Sequence, residues 1–180
     1  MKRSLVIIFC LIIITPTHNL LAADFGKLSK DSWKFFDENL TTNGFKLVDV
    51  NHKSKFLKGL ELVGKKYVNK GGCSVVTGLN DNAIVYVFII AKEDFPINIT
   101  KVMVLNAYLA LLYSRGVNVD GDVGKASFPI FDKIIKCWEN NDSRVYSIGV
   151  HKIGYHPMIT LDDKTGKKIR SVLLFIPPRA

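Results

Sequence analysis

The sequence predicts an α+β domain: a mostly antiparallel sheet packed against about three helices. Three observations carry this. The segments run helix, strands, two helices, strands, which is not the strict βαβ alternation of a parallel sheet. The stretch Ala83 to Ile90 is apolar on both faces, as a central strand covered from both sides must be. Asp163-Lys164-Thr165-Gly166 between two β-prone runs has hairpin-turn chemistry.

The first 23 residues stand apart from that domain. Lys2 and Arg3 precede an apolar run from Leu5 to Ile14, and Leu21-Ala22-Ala23 puts small residues before Asp24. This is the layout of a cleaved secretory signal. The run is shorter than the roughly 20 residues a helix needs to cross a bilayer core. Cys10 lies inside the run without the small residues of a lipidation site before it. Export to the periplasm or beyond is therefore expected, with residues 24–180 forming a single domain and no transmembrane helix left after cleavage. No linker divides those 157 residues, a length that suits one hydrophobic core.

Ser29 to Leu40 reads as the first helix, with Ser29 as cap and Trp33, Phe36 and Leu40 on one face. Gly44 suits a left-handed stop. Phe45 to Val50 is β-prone. Between Phe56 and Tyr67 the pattern is divided: Phe56, Leu57, Leu60, Val63 and Tyr67 make a helical stripe, whereas Leu60 and Leu62 flanking Glu61 suit a strand. Gly59 and Gly64 would each cost a helix about 1 kcal/mol, which tips the reading to strand. Cys73 to Thr77 and Ala83 to Ala91 are then strands joined through residues 78–82. Thr100 opens a helix to about Ser114 in which only Asn106 is polar from Val102 to Tyr113, so it is buried nearly all round. Ser127 begins a third helix, with Pro129 tolerated in its first turn and a stripe of Ile130, Phe131, Ile134, Ile135 and Trp138. Arg144 to Val150, Met158 to Asp162 and Lys167 to Ile176 complete the sheet.

Two cysteines remain after the signal, Cys73 and Cys137. In an oxidising compartment they have one possible pairing, so a Cys73–Cys137 disulfide closing a 65-residue loop is expected. The alternative makes Cys73, in Gly71-Gly72-Cys73-Ser74, the nucleophile of a secreted hydrolase working with a histidine; no familiar nucleophile signature surrounds it.

Metal chemistry has two candidate sets. Asn118, Asp120 and Asp122 alternate like the oxygens of a calcium loop, but Val123, Lys125 and Pro129 stand where such a loop needs glycine, an apolar residue and glutamate. His151 and His156 would face each other if Ile153-Gly154 were a hairpin turn, and could then share a metal with a carboxylate or His52. Neither set matches a specific motif, and no cofactor is expected.

Charge points to a class of partner. The formal net charge is +9, falling to +7 when Lys2 and Arg3 leave with the signal. Lysines gather at Lys53, Lys55, Lys58, Lys65, Lys66 and Lys70, diluted by Glu61 alone, and again at Lys164, Lys167, Lys168 and Arg170. A basic exported protein meets anionic lipid, lipopolysaccharide or an acidic protein far more readily than nucleic acid. The chain has no Gly-x-Ser-x-Gly elbow, His-Glu-x-x-His helix, phosphate loop or dinucleotide fingerprint. The sequence thus points to a non-catalytic binding or accessory protein directed at a protein partner or an anionic envelope component, with the lysines of the 53–70 segment as its binding residues.

Overall fold

A computed structural model describes residues 24–57, 60–120, 122, 128–140, 142, 146–148 and 152–179. The signal segment, Met1 to Ala23, lies outside them. Helix α1 (Ser32–Thr42) is followed by strands β1 (Lys46–Leu57), β2 (Leu60–Val68), β3 (Cys73–Asn80) and β4 (Ala83–Lys92). Helices α2 (Ile97–Ser114) and α3 (Phe128–Glu139) come next, then β5 (Tyr146–Ile148), β6 (Ile153–Leu161) and β7 (Lys168–Phe175). All seven strands form one antiparallel sheet in the order β1-β2-β3-β4-β7-β6-β5. Among the described residues the α+β architecture, one sheet with three helices, is as the element order implies.

The strand reading of the divided segment is the observed one, and Gly64 supplies the reason. A Cβ there would collide with the carbonyl oxygen of Thr77 on β3, so only glycine lets the two backbones approach. Between β3 and β4 the turn is tighter than the five residues expected. Asp81 and Asn82 alone make it, with φ of 48° and 65°, the left-handed pair of a type I′ hairpin. Gly44 stops α1 with φ +77°, as anticipated, while the Phe45 N–H bonds back to Leu40 O at 3.0 Å.

Alternation assigns each side chain to a face. Cys73, Val75, Val87, Ile89, Val172, Leu174 and Tyr155 share one face by register, and α1, α2 and α3 lie against the sheet. On that face Tyr67 Oη donates to Asp37 Oδ1 of α1 at 2.5 Å, and Trp138 Nε1 of α3 donates to Ser171 O at 2.9 Å. Helix α2 is 18 residues long with a mean hydropathy of 1.3, enough by length and composition to cross a membrane. Here 56% of it is buried, mainly against β4 and α1, as befits a core helix. A polar stitch fixes this layer. Buried Ser32 at the start of α1 accepts from the Ile84 N–H of β4 at 2.9 Å and from the Ser114 hydroxyl of α2 at 2.6 Å. Ser29, expected as the cap, instead sits before α1 and bonds Ser114 through its backbone.

The opposite face carries Val76, Tyr86, Phe88, Ser171, Leu173 and His156. It is closed by the sheet itself: β1 coils far enough for Ser54 to hydrogen-bond the Tyr86 hydroxyl and for Phe56 to meet the rings of Tyr86 and Phe88.

The disulfide is a correction. Cys73 and Cys137 are both free thiols, and both are buried. Cys73 opens β3, whereas Cys137 lies on α3, which packs over β6. Strands β4 and β7 run between β3 and β6, so the two cysteines stand on elements that are not neighbours in the sheet. A disulfide tolerates Cα atoms only up to about 7 Å apart. The two sulfurs belong to different regions of one core.

Candidate partner-binding surfaces

Cys73 makes a poor nucleophile where the fold puts it. It is 2% exposed, and burial pushes its thiol up to about 12, so it carries no thiolate at neutral pH. His52 lies on the edge strand β1, where its Nδ1 meets Asp49 Oδ2 at 3.1 Å. His156 lies on β6 opposite Leu173, with β2, β3, β4 and β7 between it and the β1 of His52 in the sheet order. The turn expected at Ile153-Gly154 does not occur: both residues belong to β6, paired with Ile148 and Ser147. His151 lies outside the described residues. Asn118 and Asp120 follow α2 in an irregular segment where Asp120 Oδ1 accepts the N–H of Asp122 at 3.1 Å, an ordinary Asx turn. Among the described residues no three of His, Cys, Asp and Glu stand together as a metal site.

The lysines of the 53–70 segment are divided by strand alternation. Lys65 turns toward the helices and holds its ammonium 3.5 Å from the Trp33 ring centre, where burial draws its pKa down. Lys66 takes the opposite face, across from Asp49 of β1 and Val76 of β3. Lys53 pairs with Glu61 at 3.2 Å across the ribbon, and Lys70 is exposed in the turn after β2. The side chains of Lys55 and Lys58 lie outside the described residues. In the second basic group Lys167 Nζ meets Asp94 Oδ2 at 2.5 Å, the backbone N–H of Lys168 donates to the Glu93 carboxylate at 3.1 Å, and Arg170 Nη1 donates to the Glu93 backbone carbonyl at 3.4 Å.

Two surfaces emerge that the lysine pattern alone does not reveal. The first is the start of β1. Residues 46–51 are six consecutive exposed strand positions, wet on both faces, at one edge of the sheet. They present Leu47, Val48 and Val50 beside Lys46, and Val63 of β2 is exposed opposite Lys53. This edge is blunted against strand addition. Register shifts interrupt the β1–β2 pairing on both sides of Asp49, and the Asp49 carboxylate accepts the Asn51 N–H at 3.0 Å. That bond, with the one to His52, holds the Asp49 carboxyl below its usual range.

The second surface is a groove of about 260 Å³ between α2 and α3, lined by Lys101, Val102, Leu105, Phe128 and Asp132. Val102 is 43% and Phe128 57% exposed. The sequence signal for it is thin: Val102 reads as one more residue of a helix apolar all round, and Phe128 falls outside the α3 stripe.

No family model matches the sequence, and neither the curated proteins nor the solved structures return a match. Fold and surface chemistry alone carry the functional reading.

Proposed function

We propose that this is an exported, non-catalytic binding protein whose β1–β2 ribbon engages an anionic component of the cell envelope. One observation supports it above the others: the six-residue exposed stretch of β1, whose aliphatic side chains Leu47, Val48 and Val50 follow Lys46 on the ribbon that also carries Lys53 and Lys66. From Lys46 to Lys70 the chain holds seven lysines and two acids, Asp49 and Glu61. Each acid is engaged locally, by His52 and by Lys53. Lysines draw the ribbon to phosphate-bearing headgroups, and Leu47, Val48, Val50 and Val63 offer apolar area to the layer beneath. Blunting of the strand edge favours contact through side chains over strand addition. The hydrolase alternative is weakened by the burial of Cys73, and export rests on the pattern of the first 23 residues.

The test uses protein purified from cells expressing the full 180-residue chain. Its mass should begin at Asp24. It should co-sediment with vesicles rich in phosphatidylglycerol, not with pure phosphatidylcholine, and lose affinity as salt rises. Val50→Asp combined with Lys53→Glu should abolish sedimentation while leaving the circular dichroism unchanged. Equal binding to both vesicle types, or to neither, overturns the reading.

A further inference from the structure

We propose that the groove between α2 and α3 is the contact between two copies of this chain, paired about a two-fold axis. A two-fold contact joins one patch to itself, so the patch must carry both halves of every interaction. This one does. It has a hollow of about 260 Å³, and the exposed Phe128 ring at its lip is a projection of the kind that fills one. It has a cation and an anion on opposite helices, Lys101 of α2 and Asp132 of α3.

Among the described residues these charges have no ion-pair mate, although both line the same groove and Lys53, Lys34 and Lys167 all find acids nearby. Two-fold docking sets Lys101 of each copy against Asp132 of the other, twice over. It also covers the exposed Val102 and Phe128 and the half-buried Leu105. Phe128 and Asp132 are four residues apart on α3 and so share one face, which lets ring and carboxylate reach the same partner.

Sedimentation equilibrium of the protein purified from cells expressing the full chain is expected to show a reversible dimer. Phe128→Glu should weaken it by roughly 30-fold or more, as loss of a central aromatic anchor does. Lys101→Asp and Asp132→Lys should each be monomeric alone, because each sets like charges face to face. Mixed in equal amounts, these two variants should form a heterodimer, since both cross-copy pairs are then of opposite sign. Restoration on mixing separates pairing between copies from pairing within one chain. Thermal unfolding of each variant checks that the fold is intact. A monomer at all concentrations, a dimer indifferent to all three substitutions, or no heterodimer on mixing overturns the proposal.

Discussion

The ring of Phe56 on β1 lies 4.4 Å, centre to centre, from that of Phe88 on β4, although β2 and β3 run between those strands. In a flat sheet three inter-strand steps would hold them roughly 14 Å apart. The contact is therefore a measure of how far the sheet coils upon itself. The glycines permit it: Gly64 lets β2 and β3 close up, and at Gly78 a Cβ would collide with the Tyr86 ring. Phe56→Ala should lower unfolding free energy by about 2 kcal/mol in urea denaturation, because a half-buried ring leaves the closure of this face. A double-mutant cycle with Phe88→Ala should show coupling of about 1 kcal/mol.

Ser32 offers a sharper test of the helical layer. Its hydroxyl serves both the Ile84 amide and Ser114, all buried. Ser32→Ala should cost about 1–3 kcal/mol, far more than a surface serine, because it strands an amide on the central strand. Equilibrium denaturation measures the cost, and faster hydrogen exchange at Ile84 would locate it.

The thiols give a chemical prediction. Treating the native protein with dithiothreitol should leave its denaturation midpoint unchanged, and a thiol reagent should react only after unfolding. Mass spectrometry after alkylation under native and denaturing conditions reads both outcomes.

Alkaline pH should destabilise the protein. The Cys73 pKa is about 12 in the fold against 9.0 for a free thiol, so between those values the unfolded chain has lost a proton that the folded chain keeps. Stability is thus complete below about pH 9 and declines as pH rises toward 12. Buried Tyr67 and Tyr86, also pushed upward, extend the decline. Cys73→Ala should flatten the slope of stability against pH above 9, as thermal unfolding in a pH series would show.

Elements with a strong local signature were legible in the chain. The apolar run of β4, the apolar helix α2 and the stripe of α3 each lie where their periodicity puts them. Boundaries depended on partners: β1 continues to Leu57, past the expected Val50, because β2 pairs with it along that length. Helix α2 begins at Ile97, with Thr100 inside the first turn and bonded back to Pro96 O at 3.2 Å. The disulfide failed because cysteine count says nothing of strand order, and strand order keeps the two thiols apart. The lysine cluster is contiguous in sequence, yet alternation sends Lys65 and Lys66 to opposite faces. The groove was hidden for the complementary reason: Val102 and Phe128 lie far apart in the chain and meet only through packing.

The placement of β7 beside β4 bears on how the molecule forms. Strands β1 to β4 are a meander of hairpins that can assemble from near neighbours as the chain is made. Yet β4 completes its second ladder only with β7, where Tyr86 pairs with Phe175 and Lys92 with Ile169, after two helices and two strands have intervened. Contacts between such distant segments are slow to form. Until then the most apolar strand in the molecule offers an unpaired edge, the kind on which nascent chains aggregate. The closing step of folding, more than the finished fold, is where aggregation of this chain is expected to begin.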